Sequence, residues 1–364
     1  MSILYDEGQE AIANEAGRIC AARSDKARSL ELLEKVGAYD VPFWQTAIEQ
    51  GWTGLAIPEE FGGLGLSLIE LGIVAQACGG TISGAPFLTA NDGAAHAIVE
   101  GDNAALRAKW LPRLANGEVI AAVAFAEGQA PLPSRPVTRL TAAGLAGEKP
   151  GVVGAAHARI AVVWALHEGE PALVLCDLGE VSRNVVAGFD NSRGYADLTF
   201  SGTPADIIVR GNQAAGLAGT VLARMAVVTA HEQVGGAEAL MTIARDYAVT
   251  RKAFGQFIGA FQSVKHRIAE IYGLVEIARA NCIHAASREG QADFFKAAAA
   301  ARLSATEAYD TAARDCIQIH GGIGVTWDTG LHLHMRRTRS LAIEQGNGMF
   351  WEDVLAEQLT GVAA

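Results

Sequence analysis

The spacing of apolar residues changes twice along the chain. From residue 8 to about 117 the apolar positions recur at helical intervals between short loops, in GQEAIANEAGRICAARS, DVPFWQTAIEQ, SLIELGIVAQACGG and NAALRAKWLPRLANG. Glycine or Asn-Gly closes several of these segments. Ser67 and Glu70 have capping-box spacing, which starts a helix there. Between about 118 and 208 the runs become short and β-branched (EVIAAVAFAE, ARIAVVWAL, PALVLCDL, YADLTF), with Gly, Pro, Asp and Asn between them. That pattern predicts a small antiparallel sheet or barrel. From about 209 long helical stripes return: Val234, Ala237, Leu240, Met241, Ala244, Tyr247 and Ala248 step by threes and fours. Similar stripes run through FQSVKHRIAEIYGLVEIARA and FFKAAAAARLSATEAYDTAARDCIQIH, and together they imply a helical bundle. The alanine-rich tract reads as helix filler. The expected fold is mainly α with a β middle domain: an N-terminal helical domain (1–117), a small antiparallel β domain (118–208) and a C-terminal helical bundle (209–364).

Composition narrows the function classes. The chain has 364 residues, half of them hydrophobic and 19% charged, enough apolar surface for more than one core and too much for bulk disorder. Net charge is 29 − 40 = −11. No Lys/Arg-rich run appears, so a nucleic-acid partner is not expected. The five cysteines are odd in number, far apart and without CxxC spacing, which fits reduced thiols in packed helices. The N-terminal residues lack a basic segment followed by an apolar one, and no run of about 18 uncharged apolar residues is present, so the reading is a cytoplasmic protein without a membrane span.

Two constellations invite over-reading. Glu60-Phe-Gly-Gly-Leu-Gly-Leu66 resembles a phosphate loop, but neither a following Lys-Ser/Thr nor a preceding strand accompanies it. His332-x-His334 splays its rings on a helix, and neither these nor His320 has a carboxylate or Cys at ligand spacing, so no metal site is assigned. The basic run Arg336-Arg337-Thr338-Arg339 fits either a phosphate contact or a solvated or carboxylate-paired helix face.

Four stretches, in order across nearly the whole chain, resemble the acyl-CoA dehydrogenase family. Gly51-Trp-Thr-Gly-Leu-Ala-Ile-Pro-Glu-Glu-Phe-Gly-Gly-Leu-Gly65 looks like its N-terminal link between helices. Arg251-Lys-Ala-Phe-Gly-Gln-Phe-Ile-Gly-Ala-Phe-Gln262 is similar to RxxFGxxIxxxQ. Gln318-Ile-His-Gly-Gly-Ile-Gly324 is similar to the QxxGGxG loop, and Glu127 falls where a T/S-E-P motif would lie. The resemblance implies an FAD-dependent α,β-dehydrogenation of an acyl-CoA thioester, with FAD at a subunit interface. It also implies that Arg251, Phe254, Gln262, Gln318, Gly321 and Gly322 contact the cofactor. Arginine offers a fork of donors to a pyrophosphate, glutamine an amide to adenine, ribose or phosphate, and paired glycines close backbone approach. The reaction needs a carboxylate base of raised pKa and donors that polarise the thioester oxygen.

The departures from the family pattern fall on one side of the site. The base position counted from QxxGGxG falls on Gln345, within Ala342-Ile-Glu-Gln-Gly-Asn347, and an amide cannot take a proton. Neighbouring Glu344 replaces it only if the backbone turns. The alternative base position, counted back from Arg251, is Met225; Glu232, two turns later, reads as a solvated or ion-paired structural carboxylate. The T/S-E-P stretch is Ala126-Glu-Gly-Gln-Ala-Pro-Leu-Pro133, and Gly151-Val-Val-Gly-Ala-Ala-His157 stands where a flavin-flanking Trp is usual. The residues retained are those that, in the family, reach a neighbour's ADP half. The pattern therefore resembles the non-catalytic partner in two-gene enzymes acting on steroid side-chain thioesters as α2β2 tetramers. An active homo-oligomer using Glu344, and a non-enzymatic acyl-CoA- or FAD-binding homologue, are the alternatives. The expected assembly is a dimer of dimers, with itself or with a homologous catalytic subunit.

Overall fold

The computed structural model describes residues 5–83 and 86–361. Its helices are α1 (Glu7–Arg23), α2 (Lys26–Glu34), α3 (Val41–Glu49), α4 (Leu68–Gly80), α5 (Pro86–Glu100), α6 (Ala104–Ala115), α7 (Asn212–Thr250), α8 (Gln262–Ser287), α9 (Phe294–His320), α10 (Leu331–Leu341) and α11 (Gly348–Thr360). The chain forms two compact units. One, the sheet unit, is Leu32–Leu71 with Gly84–Met225; the other, the bundle unit, is Met1–Glu31, Gly72–Ser83 and Ala226–Ala364.

Caps stand where side-chain chemistry calls for them. Asp6, Asp40 and Asn103 each accept from a first-turn N–H of α1, α3 and α6. At α4, Glu70 accepts the backbone N–H of Ser67 at 2.9 Å, while Ser67 Oγ accepts from Ile69, one residue earlier than the capping box implies.

The sheet unit holds β1 (Ala121–Ala124), β2 (Arg139–Thr141), β3 (Gly144–Val152), β4 (Ile160–His167), β5 (Glu170–Asp177), β6 (Ser182–Val185), β7 (Ala196–Thr203) and β8 (Ala205–Arg210). They make one sheet in the order β6-β7-β3-β2-β4-β5-β8, with β1 also on β4. It is mixed where antiparallel pairing was expected. β1 and β2 both run parallel to β4, one after the other along the same edge, β1 on Ile160–Val163 and β2 on Leu166 and His167. No tight turn joins either to β4, so the hairpin constraint that enforces antiparallel pairing is absent. β4 is buried from Ile160 to Leu166, as a central strand covered on both faces should be. Cys176 lies in β5, not in a helix, while Cys20, Cys78, Cys282 and Cys316 are buried in helices.

The glycine-rich link at 60–66 is a folded-back loop. The N–H groups of Gly63, Leu64, Gly65 and Leu66 donate to the carbonyls of Pro58, Gly54, Ile57 and Leu55. A Cβ on Gly63 would lie 2.0 Å from the Ile57 oxygen. Those N–H groups are committed within the chain, so the link is no phosphate cradle.

In the bundle unit α9 packs on α8, α10 and α11. Its alanines form the buried face (Ala297, Ala298, Ala301, Ala305, Ala308, Ala312), so the tract read as filler is a contact surface. Where α4 and α7 cross, a Cβ on Gly79 or on Gly235 would stand 1.9 Å from the other helix's carbonyl oxygen, of Glu232 and Gln76 respectively. α7 is long and apolar enough to cross a membrane by length and composition, yet 72% of its most apolar window is buried within the fold. Its apolar content is core.

Candidate functional site

The RxxFG segment forms an arm at the end of α7. β9 (Lys252–Ala253) pairs antiparallel with β10 (Gln256–Phe257), and Phe254 and Gly255 turn between them at φ +50° and +79°. Two successive positive φ values make a primed hairpin turn, which suits glycine and strains phenylalanine. Phe254 is 96% exposed at the tip, its ring edge-on to Phe261. The arm closes when the Ile258 N–H donates to the Arg251 carbonyl at 2.8 Å, and α8 then begins at Gln262.

The QxxGGxG loop follows α9. Gly321 terminates that helix at φ +64°, and both Gly321 and Gly322 have open space where a Cβ would be. Gly324 has none, since a Cβ there would lie 2.6 Å from the Ile317 carbonyl oxygen. One contact joins loop to arm: Tyr247, a turn before Arg251, stacks on His320 at 4.0 Å and 19°. His320 Nδ1 lies 2.8 Å from the Cys316 carbonyl.

Arg251, Phe254, Gln262, Gln318, Gly321 and Gly322 are thus all exposed in the bundle unit. The side chains of Arg251, Gln262 and Gln318 have no hydrogen-bond partner among the described residues. One guanidinium, two amides and an open Gly-Gly turn are donors suited to phosphate, ribose and adenine, so the set fits the polar half of a dinucleotide.

A second feature is the turn between α10 and α11. Gln345 adopts φ +55° and Gly346 φ +105°. A Cβ on Gly346 would strike the Phe350 ring at 2.6 Å, so only glycine fits. Buried Arg302 of α9 holds the turn, donating to the carbonyls of Leu341 at 2.7 Å and Glu344 at 2.9 Å, with Gln233 Oε1 as a further acceptor. Burial pulls the Arg302 pKa down to about 10 against the opposing pull of Glu344, Cys282 and Glu232, which leaves it charged at neutral pH. Glu344 is buried, at 5% exposure, while Gln345 is half-buried and accepts from Thr229 Oγ1 at 2.9 Å. Glu232 is buried and paired to Arg337 at 2.7 Å. Met225 lies in the sheet unit with its sulfur against Gly93. The Arg336–Arg339 run is divided, Arg337 buried on Glu232 and Arg339 on Asp310 at 3.1 Å.

In the sheet unit Glu127 is taken up internally. Its carboxylate accepts from the Val137 and Thr138 N–H groups and from Lys149 Nζ at 2.7 Å. The three histidines go separate ways: His320 to Tyr247, His332 stacked on Trp327, and His334 to the Tyr309 hydroxyl at 2.9 Å. Arg302 and Thr229 were not singled out from the sequence. The available signal for Arg302 was a lone cation within an alanine run, a position that demands buried acceptors.

Comparisons with known proteins agree with this architecture. Residues 6–118 match the model of the acyl-CoA dehydrogenase N-terminal domain, and residues 215–360 that of the C-terminal domain. The chain is 32% identical over 307 residues to the acyl-CoA dehydrogenase IpdE2 of Mycobacterium tuberculosis, covering 84% of this chain and 82% of that one. It is 30% identical over 349 residues to FadE34 of the same organism, spanning 94% of this chain but 46% of that longer protein. Among solved structures, the ChsE4-ChsE5 complex of M. tuberculosis superposes with a TM-score of 0.89 at 24% identity, over the whole of both chains.

Proposed function

The chain belongs to the acyl-CoA dehydrogenase family, and from that premise we propose that it is a subunit lacking its own catalytic base, one that completes the FAD site of a partner chain. The family is FAD-dependent and oxidises CH–CH bonds. FAD, when bound, supplies the acceptor for hydride. Arg251, Gln262 and Gln318 would hold its phosphate and adenosine portion, with Gly321 and Gly322 admitting it closely and Phe254 covering it as an apolar wall.

The observation that carries the reading is Gln345. Counted from the QxxGGxG loop, an amide falls where the base is expected, which supports a chain without a base of its own. Arg302 donates to the Glu344 backbone carbonyl, the Glu344 side chain is buried, and Glu232 is bound to Arg337. A base must meet the α-proton at hydrogen-bond distance, and both of these carboxylates are buried within the bundle unit. The partial retention of the family pattern supports a two-chain assembly, a homologous subunit supplying the missing carboxylate to an α2β2 tetramer. The expected substrate is an acyl-CoA thioester, with steroid side-chain thioesters the class the resemblance favours.

Purification of the chain alone, with measurement of bound FAD and of acyl-CoA oxidation by a dye acceptor, tests this. We expect little FAD and no turnover, and both restored when a homologue carrying the glutamate is co-purified. Full flavin occupancy with turnover by the lone chain would defeat the proposal. If Glu344→Gln then abolished that turnover, the homo-oligomer reading would replace it. FAD or acyl-CoA binding without flavin reduction, whatever homologue is supplied, would point to a binding protein.

A further inference from the structure

We propose that Cys20 and Cys78 are an oxidisable dithiol: a hydroperoxide converts the pair to a disulfide that fastens α1 to α4. Neither residue belongs to the set assigned to FAD, and the site stands whether or not the chain has a base of its own.

The two sulfurs lie 4.0 Å apart on different helices, 58 residues distant in the chain, and both side chains are wholly buried in the bundle unit. A disulfide holds its sulfurs at about 2 Å, so closing the bond takes a shift of about 2 Å. Other cysteines have different neighbours: Cys176 Sγ donates to the Ala161 carbonyl at 3.8 Å, and Cys316 Sγ lies 3.8 Å from His320 Nδ1.

The shift falls to α1. Of its 17 residues only Ala16, Ile19 and Cys20 are buried, so little apolar surface holds it down. A cavity of about 660 Å³ runs beside it, lined by Ala13 and Gly17 of α1, Gln76 and Ala77 of α4 and Thr242 of α7. Ala13, Gly17 and Cys20 follow one another at helical spacing, so the cavity thins the packing along the face that carries the thiol. Two oxygens of the lining residues, Tyr5 Oη and Gln76 Oε1, are buried without a hydrogen-bond partner and gain one from water when α1 lifts. The capping box at Asp6 and the Arg18–Glu15 ion pair are internal to the segment, so α1 lifts as an intact helix. Cys78 stays in place, because its neighbour Gly79 is packed against the Glu232 carbonyl of α7.

While α1 is seated the pair is inert. No oxidant reaches sulfurs without exposed surface, and the contact with Cys20, with burial, raises the Cys78 thiol well above its ordinary pKa. When α1 lifts, the Cys20 sulfur attacks one peroxide oxygen, the O–O bond breaks, and water leaves with the thiol proton, giving a sulfenic acid. As α1 returns, the Cys78 sulfur attacks the Cys20 sulfur, the S–O bond breaks, and a second water carries off the Cys78 proton. The two thiols give up two electrons in all, and hydrogen peroxide is reduced to two waters.

Hydrogen peroxide added to the folded full-length chain tests this, with thiols counted after quenching and unfolding. The wild type should lose two of its five thiols. The tryptic peptides carrying Cys20 and Cys78 should run as one until dithiothreitol parts them. Cys20→Ser should keep all its thiols at the same dose. Ile19→Ala, which weakens the seat of α1, should speed bridge formation by about tenfold or more. In the bridged protein, limited tryptic cleavage after Arg18 and Arg23 should slow severalfold and recover on reduction. The proposal is overturned if Cys176, Cys282 or Cys316 is consumed first, or if Cys20 ends as a sulfur acid without a bridge. It is equally overturned if the bridge forms only in urea, or if Ile19→Ala leaves its rate unchanged.

Discussion

Lys149 lies with its ammonium wholly inside the sheet unit, donating to Glu127 Oε1 at 2.7 Å and to the Phe125 carbonyl at 3.0 Å. Burial pulls its pKa from 10.5 to about 8, against the pull of Glu127. Between those two values the unfolded chain carries a proton that the folded chain has released. Unfolding therefore takes up a proton and becomes harder as pH rises from about 8 to about 10.5, by on the order of 1–3 kcal/mol. Burial raises the Cys176, Cys282 and Cys316 thiols to about 12, which acts the other way above about pH 9. The lysine is therefore read by difference: urea unfolding of wild type minus Lys149→Met should show a gap that shifts in the wild type's favour across this window. A pH-independent gap would mean that the amine keeps its ordinary pKa. The sequence marks Glu127 by motif but gives no sign of its lysine partner, which comes from β3, across the sheet.

At the scale of elements, α7 carries glycines of opposite meaning. Gly219 has nothing within 4 Å of a Cβ, whereas Gly235 would put one 1.9 Å from the Gln76 carbonyl of α4. Gly219→Ala should stabilise by about 0.5–1 kcal/mol through helix propensity. Gly235→Ala should cost about 3 kcal/mol or more, or prevent folding, because backbone opposes it and backbone yields little. Denaturant midpoints decide, and a neutral Gly235→Ala would mean that the helices separate more easily than their contact implies. Periodicity revealed α7, α8 and α9 because each has an apolar stripe. It missed α5, whose PFLTANDGAAHAIVE mixes polar, glycine and apolar residues without a clean stripe, although Asn91, Asp92 and Ala94 are all buried. A helix that buries polar residues among apolar ones, as it does Asp92 paired to Arg224 at 2.7 Å, loses the very contrast that periodicity reads.

For the whole molecule, the arm and loop of the bundle unit leave Phe254, Ile323, Val325 and Trp327 exposed. Apolar side chains beside unpartnered donors are what an unfilled assembly surface presents. Sedimentation should find the chain in a species larger than its 38.0 kDa. Arg251→Ala should reduce FAD retention in the assembled species by tenfold or more while leaving its size and melting temperature near wild type. Unchanged FAD retention would remove Arg251 from the cofactor site.

The sequence alone determined the alternation of helical and strand periods, the presence of Gln345 and Met225, neither of them a proton acceptor, and the RxxFG and QxxGGxG motifs, because each is local in the chain or a matter of residue type. Tertiary structure alone decided that β1 and β2 run parallel along β4, that Glu232 belongs to Arg337 and that Arg302 holds the turn bearing Gln345. Those outcomes depend on which distant backbone and side-chain groups meet. A buried charge or a strained φ is stabilised by partners tens to hundreds of residues away, and no local pattern encodes them.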